Sequence, residues 1–176
     1  MPEKVTTCWK TDTPLHVKYP DEEWGVPLHD DNMFFEFLVL GGFQTGLTWW
    51  IILQRRNTFR QAFDNFDLRK VANYTIQDVD RLMGNRELIR NKNKILASIN
   101  NARCFLKIQK ELGSFDSFIW QFVKGQTITN SFTELKDLPA ETLESKTMSC
   151  ELRKNVNSLQ IVTTETRKMN AVEEVS

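Results

Sequence analysis

LMGNRELIRNKNKILASINNAR, residues 82–103, is the stretch whose reading decides the fold. Upstream of it, TIQDVDRLM reads as a short helix with Thr75 as its cap and Ile76, Val79 and Leu82 on one face. A turn rich in Gly, Asn and Arg follows, and then a long basic helix. Ile95, Ile99, Ala102 and Phe105 or Leu106 supply the buried face of that helix, Gln109 falls near its edge, and Gly113 stops it. Two helices joined by such a turn are the layout of a helix–hairpin–helix element. There the turn's backbone N–H groups and the next helix's N-terminus meet a phosphate without reading bases. The same pattern also describes a plain αα-hairpin with a solvated basic face.

Charge sharpens the choice only locally. The chain has 176 residues, 23 Lys and Arg against 23 Asp and Glu, and a formal net charge of zero, so bulk charge points to no polyanion partner. Residues 86–110, however, carry Arg86, Arg90, Lys92, Lys94, Arg103, Lys107 and Lys110 against Glu87 alone. Residues 21–36 carry Asp21, Glu22, Glu23, Asp30, Asp31 and Glu36 with no Lys or Arg. A basic island in a neutral chain is either a solvated helix face or a surface that touches phosphates.

The rest of the chain is patterned for helices. Asp30 or Asp31 can cap a helix through MFFEFLVL, which Gly41 and Gly42 interrupt or let pack closely. A second helix runs from about Thr45 through TWWIILQRR, and NTFRQAF reads as a third, capped by Asn57. DLRKVANY, SFDSFIWQFV and ETLESKTMSCELRKN are further helices, the first two capped by Asp67 and Ser114. Val71 and Ala72 are core candidates beside Val79 and Leu82. Residues 124–140 read as turn-rich and irregular, and no strand alternation lasts long enough to build a sheet. The expectation is a compact all-α domain over residues 1–154, with segment 1–30 packed on it and a divergent, poorly ordered tail at 155–176.

Site chemistry is sparse. Three widely spaced cysteines with no CxxC, and an N-terminus without an apolar signal core, place the chain in a reducing cytoplasm. His16 and His29 are the only histidines, so no zinc site of familiar spacing can be assembled, and no P-loop, GxSxG or GxGxxG occurs. His29 beside Asp30 reads as a surface or capping neighbour. What remains is aromatic: Trp9, Tyr19, Trp24, Trp49 and Trp50, interleaved with acidic residues. Adjacent helical residues point about 100° apart, so Trp49 and Trp50 cannot both face one core. The set suits either a pocket that sandwiches a flat ring or a Trp-rich core.

These stretches, taken in order, resemble the DNA-3-methyladenine glycosylase I family of the helix–hairpin–helix glycosylases. The likeness is carried by YPDEEWGVP, DDNMFFEFL, GFQTGLTW, ILQRR, FRQAF, LIRNKNKI, INNAR, GSF, IWQFV and DLPAET, between about residues 8 and 154. The resemblance implies a compact helical bundle of that type. It also implies monofunctional hydrolysis of the N-glycosidic bond of 3-methyladenine in double-stranded DNA, with no Schiff-base lysine and no strand cleavage. By the same resemblance, Trp49 and Tyr19 form the base pocket, Trp9 and Trp24 its adjoining wall, and Asn85, Arg86, Arg90, Asn91, Lys92 and Lys94 grip the backbone. A methylated adenine carries positive charge, so it is a good leaving group and is drawn to π faces.

Departures from the family pattern shape the remaining expectations. Gly41 stands where the family carries a base-contacting glutamate, so Glu36 or Glu23 would have to supply the carboxylate. Of the family's zinc ligands only Cys8 is matched, because Pro20 replaces a histidine and neither a His nor a further Cys follows Cys150. No cofactor is therefore expected. The expected partner is alkylated duplex DNA, with no membrane, and the chain is expected to act as a monomer. The alternative function is a DNA-binding protein of the same fold that has lost catalysis.

Overall fold

A computed structural model describes residues 19, 22, 23, 26–132, 139, 141–155 and 171–175. Trp9, Trp24, Cys8, His16 and most of the tail lie outside the described residues. Seven α-helices carry the described fold: α1 (Asp31–Gln44), α2 (Trp49–Ala62), α3 (Leu68–Ala72), α4 (Ile76–Gly84), α5 (Lys92–Leu112), α6 (Phe115–Trp120) and α7 (Leu143–Asn155). Short 3₁₀ turns at Asp64–Phe66 and Gln121–Val123 link α2 to α3 and close α6.

Capping side chains set where helices begin. Asp30 accepts from Met33 N, Asp67 from Lys70 N, Asn91 from Lys94 N and Ser114 from Ser117 N. Each satisfies one of the donors that a helix N-terminus leaves without an intrahelical partner. Thr75 and Asp78 form a reciprocal capping box at α4. Gly113 ends α5 with φ +89°, a backbone state that a side chain disfavours.

Asp30 is thus the cap, and Asp31 does something the local pattern does not foretell. Its carboxylate accepts from Phe115 N and Asp116 N, each at 2.8 Å, and from Gln109 Nε2 at 2.7 Å. One side chain therefore fastens the start of α1 to the junction of α5 and α6.

The core is built largely from phenylalanine. Phe34, Phe35, Phe43, Phe59, Phe63, Phe66, Phe105 and Phe115 are all fully buried. Phe43 meets Phe59 edge-on at 4.9 Å, and Phe105 stacks on Phe115 at 3.7 Å. The Phe63 and Phe66 rings lie parallel at 5.8 Å. Rings in offset-stacked or edge-to-face contact add to what burial of their area already gives.

Three expectations are corrected, and one open choice is settled. Of the two readings of Gly41 and Gly42, interruption is excluded: helix α1 runs unbroken through both, and both are buried. Burial against neighbouring helices outweighs the roughly 1 kcal/mol that glycine costs a helix interior. NTFRQAF is not a separate helix: α2 is continuous, with Trp49, Ile52, Leu53, Arg56, Phe59 and Ala62 on its buried face and Asn57 exposed within it. Ile76 is 60% exposed, because it sits at the first position of α4, ahead of the buried Val79 and Leu82. Finally, residues 128–132 are not irregular. They pair in parallel with 171–175, from Ile128 opposite Ala171 to Phe132 opposite Val175. This two-stranded ladder, whose Ile128 packs against the helical core, leaves the all-α class unchanged.

Candidate active site

Helix α2 begins at the tryptophan pair and sorts it. Trp49 is buried, while Trp50, one residue on, is half-buried at the edge of the core. The turn before them is tight: Gly46 takes φ +84°, and Leu47 N donates to Gln44 O. Tyr19 comes from the N-terminal segment and meets Trp49 with ring centroids 5.5 Å apart and planes tilted by 52°. A flat base between two rings needs about 7 Å, two van der Waals contacts of about 3.5 Å each. Tyr19 and Trp49 therefore make a corner, not a slot.

A backbone bond links Tyr19 to a chain of ion pairs. Glu23 N donates to Tyr19 O at 3.0 Å, and the Glu23 carboxylate accepts from Arg56 Nη1 at 2.5 Å. Arg56 lies on the buried face of α2, two turns beyond Trp49. Its Nε donates to Glu36 Oε1 at 2.5 Å, and its guanidinium rests over the Phe37 ring at 5.1 Å. Arg60, one turn further, donates from Nε to both Glu36 oxygens at 2.9 and 3.1 Å. Burial opposes the charge on Arg56, but its hydrogen bonds first to Glu36 and then to Glu23 outweigh that and hold the guanidinium above its ordinary pKa.

The two carboxylates proposed as stand-ins at Gly41 are thus both bound to arginine. Glu36 is buried, and both of its oxygens are occupied. Sequence alone gave no sign of this, since Glu36, Arg56 and Arg60 are separated along the chain by α1, a turn and most of α2.

The hairpin joins α4 to α5 through residues 85–91. Asn85 Oδ1 accepts from Glu87 N at 3.0 Å, Leu88 is buried as the anchor of the turn, and Asn91 caps α5. Arg86, Arg90, Asn91 and Lys92 are exposed and Asn85 is half-buried. Lys94 is turned inward. Its ammonium donates to Phe43 O at 3.1 Å and Thr45 O at 2.9 Å, and burial draws its pKa below the ordinary value. Glu87, which the sequence placed near the phosphate, has its carbonyl held by Arg55 Nη1 at 3.0 Å.

His29 is 57% exposed at its side chain. Its Nδ1 lies 2.9 Å from Asp116 Oδ1 and its ring stacks on Trp120 at 4.4 Å, so it is a surface clasp between the first loop and α6. Cys150 is exposed on α7, and among the described residues no group of three His, Cys, Asp or Glu side chains could hold a metal. No helix among the described residues is long and apolar enough to cross a membrane.

Comparison with known proteins places this geometry. The family model for methyladenine glycosylase matches residues 9–172. The DNA-3-methyladenine glycosylase of Haemophilus influenzae is 38% identical over 151 residues, covering 85% of this chain and 82% of that protein. DNA-3-methyladenine glycosylase 1 of Escherichia coli is 38% identical over 146 residues, covering 83% and 78%. A crystal structure of 3-methyladenine DNA glycosylase I superposes with a TM-score of 0.82 at 33% identity, covering 94% of this chain and 93% of that one. The Staphylococcus aureus enzyme, solved for the structural basis of 3-methyladenine recognition, gives 0.82 at 28% identity, covering 92% and 88%. With the model matched over nearly the whole chain and the helices superposing on those of solved members, the chain belongs to the methyladenine glycosylase family.

Proposed function

We propose that this protein hydrolyses the N-glycosidic bond of 3-methyladenine in alkylated duplex DNA, leaving an abasic site, and that it does so as a cytosolic monomer without a metal. The observation that carries the reading is the Tyr19–Trp49 corner, whose preceding turn is tied by Lys94 to the start of α5 and whose helix is tied by Arg55 to the basic hairpin. Relatives named for 3-methyladenine excision, and a neighbouring structure determined with 3-methyladenine bound, support the substrate.

The chemistry asks little of a nucleophile. Methylation at N3 puts positive charge on the purine, so the base leaves as a neutral molecule when the bond from C1′ to the base breaks. Water adds at C1′ and loses its proton to solvent. The protein's share is to hold the everted base by its π face and keep it oriented. The corner supplies that face, and the exposed Arg86, Arg90 and Lys92 hold the phosphates.

The glutamate position is Gly41, and Glu36 and Glu23 are engaged by arginines. Selectivity on this reading rests on stacking and shape more than on a carboxylate. The same absence favours the second reading, a DNA-binding protein of this fold without catalysis. Release of free 3-methyladenine from methylated DNA decides between them. Base release by the folded chain supports the glycosylase. Salt-dependent duplex binding with no release supports the second reading and overturns the first.

A further inference from the structure

The hairpin is fastened to both flanks of Trp49. Upstream, Lys94 Nζ on the first turn of α5 donates to Phe43 O and Thr45 O, two carbonyls that the end of α1 leaves without helical partners. These lie just before the Gly46 turn that delivers Trp49. Downstream, Arg55 on α2 donates to Glu87 O within the hairpin. The two tethers join segments 51 and 32 residues apart in sequence, Lys94 with Phe43 and Arg55 with Glu87. Neither leaves its charge free to face a phosphate along these bonds, whereas Arg86, Arg90 and Lys92 are exposed.

We propose that Lys94, with Arg55, is a positioning residue: it ties the backbone-gripping turn to the loop that presents Trp49, so that seating the hairpin on DNA places the pocket over the damaged base. The inference rests on the glycosylase reading and deepens it. It assigns Lys94 a role in coupling, where its charge and position in the basic island would suggest phosphate contact.

Three measurements on the full chain test it, using Lys94→Met and Lys94→Arg with Lys92→Met for comparison. Affinity for an undamaged duplex is read at several salt concentrations. Single-turnover release of 3-methyladenine is read at saturating protein. Hydrogen exchange of amides 43–50 is read with and without duplex.

For Lys94→Met the expectation is near-normal duplex affinity, an unchanged salt slope and a release rate reduced about 10- to 100-fold, the range a displaced active-site group costs. The duplex-induced protection of amides 43–50 is lost with it. Lys94→Arg, which can still donate to both carbonyls, restores most of the rate. Lys92→Met instead weakens duplex binding and lowers the salt slope by about 1, as loss of one phosphate contact does.

A Lys94→Met protein that behaves like Lys92→Met, or that releases base at the wild-type rate, overturns the proposal. So does unaltered protection of residues 43–50. If the unmodified chain binds duplex but releases no base, the glycosylase reading fails instead. The exchange measurement then still decides the tether.

Discussion

At the scale of single residues, two side chains carry most of what can be tested. Trp49→Ala removes one wall of the corner. Base–aromatic stacking is worth about 1–3 kcal/mol, so release of 3-methyladenine is expected to fall by about one to two orders of magnitude. Duplex affinity should hold, since Trp49 is buried while Arg86, Arg90 and Lys92 are exposed. Because Trp49 is also core, the variant's thermal midpoint has to be recorded alongside. Arg56 makes the second case. Arg56→Met leaves Glu36 and Glu23 with one cation fewer between them, and breaking a buried pair from one side costs about 3–5 kcal/mol. Arg60 still holds Glu36, so the carboxylate that loses its cation is Glu23; combining Arg56→Met with Glu23→Gln removes that charge and is expected to recover part of the loss, as read by urea unfolding. A recovery no larger than the error would show that the pair holds no buried charge worth compensating.

These residues also mark where sequence reading stops. Tyr19 and Trp49 could be named together because the family motifs carry both, and their rings meet. The Glu23–Arg56–Glu36–Arg60 chain was not, because its members come together only when α1, α2 and the N-terminal segment are packed. Lys94 was misleading for the same reason. One-dimensional pattern shows its charge within a basic run, while only the fold shows the two carbonyls that occupy it.

At the scale of elements, caps were the most readable feature. Asp67, Thr75 and Ser114 stand where the pattern put them, because a cap is a local bargain between one side chain and the next turn. Boundaries inside apolar runs were less readable: Gly41, Gly42 and Asn57 look like breaks, yet the surrounding core keeps α1 and α2 whole. The turn between α2 and α3 gives an alkaline prediction. Tyr74 is buried, and its hydroxyl donates to the Asp64 carboxylate, with Ala62 O 3.4 Å away. Burial first, and the Asp64 carboxylate second, push the phenol's pKa well above its ordinary value, outweighing the nearby Arg81. The folded chain therefore holds this proton to higher pH than the unfolded chain does. The stabilisation is whole below about pH 10, the unfolded value, and is lost as pH rises through the folded one. Unfolding free energy of the wild type should drop more steeply above pH 10 than that of Tyr74→Phe.

At the scale of the whole molecule, the helical bundle was legible and its fastening was not. Asp31 reads locally as a second candidate cap, yet it bridges to α6 and Gln109 across more than half the described chain. Asp31→Ala is expected to leave two backbone N–H groups at the start of α6 without their acceptor. Each buried donor left unmet costs about 1–3 kcal/mol. A two-state denaturation midpoint falling by that order, with release activity per folded molecule retained, would fit a purely architectural role. The strand pair at 128–132 and 171–175 escaped the pattern because neither segment alternates apolar and polar residues for long.

The turn at Asp64–Phe66 has a further consequence. Asp64, Asn65 and Phe66 take φ values of 52°, 54° and 57°, a left-handed step made without a single glycine. L-residues pay about 1–2 kcal/mol each for that handedness, and Asn tolerates it best of the three. Phe66 is held there because its ring is locked into the core beside Phe63 and Phe35. The position is therefore closed to drift toward valine or isoleucine, whose branched Cβ suits this backbone least. Position 65, exposed and already asparagine, is where the lineage remains free to accept glycine.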